Sequence, residues 1–582
     1  MNLKQINKQI KEAVEKLPMG LCKLSPEMLT GDSIRALQAG IISSANLIES
    51  TNAVIKLLSE EVQNLRDDLN ELKGEQGKPK IRPQSKPSDE KDSSGDDDEG
   101  GGTEAKSPDI SSETERNPKE KTRKQRVTNA DIKITKSQIV TLDRSTLPSD
   151  AIFKGYQPYI VQDIKFELDN IEYKREEYYS PSTQRSYVAE LPVDYNGSGY
   201  GFNIKAIIIA LHHQGKMTQQ SIHEFLSNTA GTQIAKSTIS RILTDDLEVF
   251  HQEKADIVSA GLSATSYIHV DDTGARVNGQ NNYVHVLCSP YFTGYFTREH
   301  KDRLTILEIL GQGIIRHAFV ETSFDLMLAM GVSNKVINQL QSLSNQELST
   351  EELTLVLQKM FGDDGHATAK RIIIEASAII AYQQMPQAIQ ILVCDDAPQF
   401  KQITEILALC WVHAGRHYKK LTPVMPEHKQ ILDIFITKLW KYYHQLRAFQ
   451  ENPLPELQLP LSLRFDELFS TITGYDDLDE RIAKTRSQKE NLLVVLEHPE
   501  VPLHNNPAEL DARIQARRRD ISYQTQNPKG TEAKDTLMSV VKTAIKLKVS
   551  AFAYIKDRVS KVMEMPSLAS MIQNLAVGVP SE

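Results

Sequence analysis

Cysteine is scarce in this chain. Four residues (Cys22, Cys288, Cys394 and Cys410) are scattered over 582 positions, too few for a disulfide framework, which favours a reducing, cytoplasmic setting. The opening stretch MNLKQINKQIKEAVEK has no apolar h-region, so no secretory signal is expected. Long hydrophobic runs are missing too. IKAIIIAL and RIIIEASAII are too short or too interrupted to span a bilayer, and no membrane partner is expected. No Gly-rich phosphate loop and no serine-nucleophile elbow occurs, which leaves ATP use and acyl chemistry unsupported. Excess positive charge is also lacking. Lys and Arg number 68 against 77 Asp and Glu, a net charge of −9, so any affinity for nucleic acid must come from local basic patches.

What is present is ordinary and globular: 40% hydrophobic and 25% charged residues, with length enough for several domains. After an N-terminal helical segment (1–33), residues 34–72 carry a heptad. Ile34, Ile41, Ile48, Ile55, Val62 and Leu69 recur seven apart. Leu37, Leu58, Leu65 and Leu72 take the second apolar position, with Ser44 and Thr51 its weak members. β-Branched residues at the first position with Leu at the second favour a parallel two-stranded coiled coil, hence a homodimer. The competing reading is an amphipathic helix packed within one chain. Residues 73–127, rich in Gly, Pro, Ser and like-charge runs, are expected to form a disordered linker.

A small β unit is expected within 128–200, with two or three strands over 158–192 around Asn and Ser-Pro turns. Residues 201–262 read as helical. NIKAIIIALHH is stopped by Gly215, Thr218 caps TQQSIHEFLSN, and AKSTISRILTDDL follows Gly231. Three short helices, the last bearing Lys236 and Arg241, suit a helix-turn-helix that contacts DNA, or a plain three-helix connector. From 266 a meander is predicted: YIHVDD, an Asn278-Gly279 turn, NNYVHVLCS and GYFTREH. Helices are expected at 302–311 and across 323–384, then a strand over 390–396 and a helical stretch over 398–420. Residues 422–500 and 505–563 read as mostly helical, and 564–582 as a loose tail. The alternation predicts an α/β or α+β core over 263–563, with helical insertions near 320–370 and 422–490.

Two of these strands run into an Asp-Asp pair, YIHVDDTGARV (267–277) and QILVCDDAPQF (390–400). Asp-rich strand ends are commonly turns. A third acidic residue lies in PLHNNPAELDARIQARRRD (502–520). There Asn506 is expected as N-cap, with Glu509 in a capping-box position and Arg513 one turn on. Glu509, Arg513 and Arg517 share one helix face, and a carboxylate framed by arginines suits a metal site that handles phosphates. Two Asp and one Glu are also what two-metal phosphoryl chemistry requires, because hard Mg²⁺ ions prefer carboxylate oxygens. Cys410-x-x-His413 with His417 resembles a zinc pattern but lacks a second Cys pair. The plainer reading packs Cys410 and Trp411 in the core and turns His413, Arg416 and Lys419 to DNA.

Taken together, these motifs resemble the insertion-sequence sixty-six family of bacterial transposases. IHVDDTGARV is similar to that family's Asp-Glu-Thr strand, and LVCDDAPQF…CWVHAGRHYKKL (392–421) to its second Asp with the downstream Cys-Trp-x-His-x-x-Arg segment. HNNPAELDARIQARRRD resembles its Asn-Asn-x-x-Glu block. The resemblance implies a ribonuclease-H-like α/β fold and a DDE transposase that cuts and joins double-stranded DNA. It also implies Asp271, Asp395 and Glu509 as catalytic residues and ligands of Mg²⁺ (or Mn²⁺), with possible accessory transposition proteins and a location on the bacterial nucleoid. Departures are Asp272 where the family has Glu, Leu510 where it usually has Arg, and no cysteine in 128–200. The alternative is a transposase-derived DNA-binding protein that does not cut.

Strand alternation puts Asp271 with His269 on one face and Asp272 with Ile268 and Val270 on the other, while Asp395 goes with Ile391 and Val393. Periodicity alone thus gives opposite answers for the two pairs. The resemblance assigns the first Asp of each.

Overall fold

A computed structural model describes residues 133–143, 147, 148, 150–191, 199–362 and 366–578, together with scattered positions between 44 and 62. The expected 1–33 helix and 73–127 linker lie outside the described residues. The chain forms two compact units.

The smaller unit spans 108–251 with 548–565. Its β unit is a single hairpin, β1 (Glu177–Ser180) paired with β2 (Arg185–Val188), mostly exposed and without a third strand among the described residues. Three helices follow as predicted: α1 (Phe202–His213), α2 (Gln219–Ala230) and α3 (Lys236–Thr244). Thr218 accepts from Ser221 N at 3.0 Å, and Gly231 ends α2 at φ 69°, a left-handed conformation that costs glycine little. Ile239 and Leu243 bury one face of α3, leaving Lys236 and Arg241 exposed.

The larger unit is built on a five-stranded sheet. After α4 (Glu248–Ser263) come β3 (Tyr267–Val277), β4 (Gln280–Cys288) and β5 (Thr293–Arg298), which form the predicted meander. Asn278 at φ 47° and Gly279 at φ 79° make its tight turn, as a hairpin with two left-handed positions requires. β8 (Ile391–Cys394) then pairs with β3 in parallel, and β9 (Ile406–Leu409) with β8. The order β5-β4-β3-β8-β9, three antiparallel strands continued by two parallel ones, is that of a ribonuclease-H-like core. Helices α15 (Asn506–Ser522) and α16 (Pro528–Lys546) cover one face, where Ala512 and Met538 bury against Val284, Val286 and Tyr295.

Between β5 and β8 lie α5 (Arg303–Leu310), β6 (Arg316–Phe319), α6 (Glu321–Ala329), α7 (Asn334–Leu340), β7 (Gln346–Ser349), α8 (Thr350–Phe361) and α9 (Ala367–Gln383). The insertion has its own core, including Phe319, Phe324, Ile337 and Leu353. After β9 come α10 (Trp411–Lys419), α11 (Pro426–Glu451), α12 (Gln458–Phe469), α13 (Asp476–Arg486) and α14 (Lys489–Leu492). Trp411 anchors this second insertion, its ring 5.7 Å from Tyr442 and 6.2 Å from Phe465. Gly415 lets α10 approach α11, since a Cβ there would meet the Trp440 ring at 2.5 Å. Helix α17 (Ala551–Val559) belongs to the smaller unit and α18 (Leu568–Ala576) to the larger.

Four expectations need correction. β9 lies inside the stretch predicted helical (398–420), because a four-residue apolar run carries no distinguishing period. The β6–β7 ladder puts β7 inside the predicted helical span 323–384. Residues 568–576 form a helix with Leu568 and Ile572 fully buried, where a loose tail was expected. Asp271 and Asp272 sit within β3, not at its end; what ends beside them is the parallel pairing with β8, at His269.

Part of the heptad segment is docked on its own chain. Glu49 is 4% exposed and accepts from Val424 N at 2.6 Å and Met425 N at 3.0 Å, the amides that precede α11. Ile48 packs on Met425 and Val424, and Asn46 bonds Gly474 O at 3.2 Å. Among the described residues no helix is long and apolar enough to cross a membrane.

Candidate active site

The parallel register decides how the two Asp-Asp pairs face. Tyr267 pairs with Ile391 and His269 with Val393. Because side chains alternate, Tyr267, His269 and Asp271 share a face with Ile391, Val393 and the position of Asp395 just beyond β8. This is the face covered by α15, where Glu509 lies in the first turn. Asp271, Asp395 and Glu509 are therefore brought to one place.

Electrostatics register that convergence. The Asp271 carboxyl is pushed up to about 7, first by burial and then by the charges of Asp395, Glu509 and Asp272, against one hydrogen bond from Asp272 N at 2.9 Å. Asp395 is also raised, by burial foremost, with Asp272 and Glu509 adding to it; the nearby His413 and the Ala397 amide oppose the shift. Burial lowers the His413 ring, while Asp395 and Glu509 pull it back up. His413 thus stands among the acids.

The second members of the pairs are engaged elsewhere. Asp272 accepts from Gln399 Nε2 at 2.7 Å and has Lys301 Nζ at 3.7 Å. Asp396 has Lys401 Nζ at 2.8 Å and Lys484 Nζ at 3.8 Å. Burial acts to raise the Asp396 carboxyl, but hydrogen bonds from Lys401 and Gln488 and the lysine charges outweigh it and hold it below the usual range.

Helix α15 starts one residue earlier than expected. Asn505 is the N-cap, so Glu509 falls at the fourth helical position and no capping box forms. Glu509 is held by Arg416 of α10, whose Nη2 lies 2.9 Å from Oε2. Arg513 and Arg517 are exposed along α15, and Arg519 Nη1 donates to Gly274 O at 2.5 Å.

Behind the acids lies a buried polar knot. Asn505 Nδ2 donates to Val270 O at 2.7 Å, and Asn505 N to Cys410 Sγ at 3.2 Å. Cys410 Sγ also accepts from His413 N at 3.4 Å, and Cys410 N donates to Cys394 O at 2.9 Å. The residues preceding Asp271 and Asp395, the N-cap of the Glu509 helix and the N-cap of the helix bearing His413 and Arg416 are thereby tied together. Sequence reasoning missed Asn505. The i, i+3 spacing of His413 and Arg416 on a helix starting at Cys410 was the available signal for their shared face.

Two raised carboxyls, Asp271 and Asp395, each feeling the Glu509 charge, fit a hard divalent cation, and every donor is oxygen. Among the described residues, however, no three His, Cys, Asp or Glu side chains stand close enough to hold an ion as placed. Arg416 takes up one Glu509 oxygen.

The model of the Transposase IS66 family matches residues 197–318 and 377–533, covering the sheet, α10 and α15 and leaving out most of the first insertion. Uncharacterized protein y4jO of Sinorhizobium fredii (strain NBRC 101917 / NGR234) is 31% identical over 306 residues, 52% of this chain and 94% of that protein. The chain belongs to the Transposase IS66 family.

Proposed function

We propose that this protein is a DDE-type transposase that cleaves DNA at the ends of an insertion sequence and transfers the freed 3′-hydroxyl to target DNA. The observation that carries the reading is the convergence of Asp271, Asp395 and Glu509 on one face of the sheet. These three would hold Mg²⁺ or Mn²⁺, which when bound activates the attacking oxygen and stabilises the leaving one. Burial and the crowding of negative charge hold the Asp271 carboxyl up at about 7, a repulsion that a bound cation would relieve by keeping it ionised. The His413 ring feels the charges of Asp395 and Glu509 and is the imidazole available for proton transfer at this site. Arg416 orients Glu509 through its guanidinium. Arg513 and Arg517 contact phosphates, the α2–α3 pair reads the element ends through Lys236 and Arg241, and the heptad joins two copies.

One observation favours the rival reading, a transposase-derived DNA-binding protein that does not cut: the Arg416–Glu509 ion pair removes a carboxylate oxygen from ligation. A nicking assay on a plasmid carrying the element ends, with Mg²⁺, separates the two. Asp271→Asn, Asp395→Asn and Glu509→Gln are expected to abolish nicking and keep end binding. Lys236→Ala with Arg241→Ala is expected to weaken end binding and flatten its salt dependence. A wild-type chain that binds ends and never nicks supports the rival.

A further inference from the structure

A group of cations beside the acidic centre takes no part in the chemistry above. Helix α13, from the second insertion, packs along α10. The Tyr418 hydroxyl lies 2.6 Å from Thr485 Oγ1 and 3.3 Å from Arg481 O. That contact lays the Arg481 guanidinium over the Tyr418 ring, 5.9 Å from its centroid. Arg481 is only partly exposed, and its Nε is buried without a hydrogen-bond acceptor. Among the described residues neither Arg481 nor the exposed Lys420 has an acidic partner. His417 lies within reach of both charges, its ring 5.0 Å from that of His413. Burial first, then the charges of Arg481, His413, Lys420 and Lys484, push the His417 imidazole down to about 4, so it is neutral at ordinary pH. Lys484 is committed to Asp396, which Lys401 already neutralises.

A half-buried guanidinium without a counter-ion is costly, and its cost falls when an anion arrives. The net charge of −9 makes such a local excess of cations harder to dismiss as background. We propose that Arg481, Lys420 and His417 bind backbone phosphate of the DNA strand that passes Asp395, which makes the second insertion a strand-holding arm of the active site. A guanidinium fork, an ammonium and an imidazole N–H together supply the donors a phosphodiester accepts. The identity of the polyanion rests on the transposase reading; the cluster itself does not.

The test uses the full chain carrying Asp271→Asn, with binding to labelled single-stranded and duplex oligonucleotides followed by anisotropy over a salt series. Arg481→Gln is expected to weaken binding several-fold and to lower the log–log salt slope by about one. Lys420→Gln adds a second such step, and Arg481→Lys restores the slope. The α13 backbone bonds run through Arg481 O, so the fold survives these changes; melting temperature checks that. Affinities and slopes equal to the parent would overturn the proposal. Inorganic phosphate at constant ionic strength is the second probe. If it raises the melting temperature of the parent but not of Arg481→Gln, while oligonucleotide binding is unaffected by the substitution, the site takes free phosphate and the strand assignment falls. No cleavage is needed for any of these measurements. With Asp271 restored, a chain that never nicks although Arg481→Gln lowers its slope sinks the transposase reading alone, and one that nicks while Arg481→Gln leaves the slope unaltered sinks this inference alone.

Discussion

Asn505 Oδ1 lies 3.0 Å from His269 Nδ1, while the same amide donates to Val270 O at 2.7 Å. An amide oxygen only accepts, so the imidazole carries a proton on Nδ1, and burial, which pushes the ring down to about 3, keeps it neutral. Asn505→Ala leaves both groups buried without their partner. A loss of about 1–3 kcal/mol is expected in denaturant titration, together with reduced nicking at unchanged end affinity. An unmoved midpoint would show that the amide is dispensable.

The two Asp-Asp pairs should split by position. Asp271→Asn and Asp395→Asn are expected to abolish nicking, whereas Asp272→Asn and Asp396→Asn keep a measurable part of it. Asp396→Asn should instead lower the melting temperature, because it leaves Lys401 and Lys484 without their shared carboxylate. Dead second-position variants would mean that the other face is the chemical one. Normal nicking by all four would end the DDE reading.

The heptad segment makes two separable predictions. Ile48 is used within the chain, against Val424 and Met425, but Leu58 and Val62 remain 59% and 45% exposed. Deleting 34–72 should turn a dimer into a monomer in light scattering, and an unchanged mass would sink the coiled-coil proposal. Glu49→Ala should leave the mass alone yet lower stability by roughly 1 kcal/mol, since two amides ahead of α11 lose their acceptor.

The first insertion should loosen in acid. His317 is buried, with Nδ1 3.0 Å from Ser377 Oγ and Nε2 3.1 Å from Thr350 Oγ1. Burial pushes its ring down to about 4 from the ordinary 6.5. The unfolded chain therefore takes up a proton first: stability is highest above 6.5, falls as pH drops toward 4, and levels below that. The whole effect is at most a few kcal/mol. Hydrogen-exchange protection factors of β6, α8 and α9 should fall between pH 6.5 and 4 in the wild type. His317→Gln should remove that dependence; a pH-dependence that survives the substitution assigns it elsewhere.

Much of the local structure is legible in the residues themselves. Thr218 and Gly231 bound α2, Asn278-Gly279 turns the meander, and the two apolar runs ending in Asp-Asp mark β3 and β8, because caps, turns and periods depend on neighbours in the chain. Short apolar pieces are less legible. ILAL became an edge strand by pairing with β8, and Leu568–Ala576 became a helix by burying Leu568 and Ile572.

Which carboxylates meet was beyond local pattern. Alternation orders side chains only within one strand, so it left Asp271 and Asp395 on faces that seemed opposed. Parallel pairing of His269 with Val393 puts them on the same one. Glu509 likewise had Arg513 as its neighbour by helical spacing, yet its carboxylate is held by Arg416, a residue delivered by a different helix. The sequence by itself determined which residues could do the chemistry. Register and packing decided which of them face each other, because a central strand covered on both sides has no apolar or polar face for its own periodicity to declare.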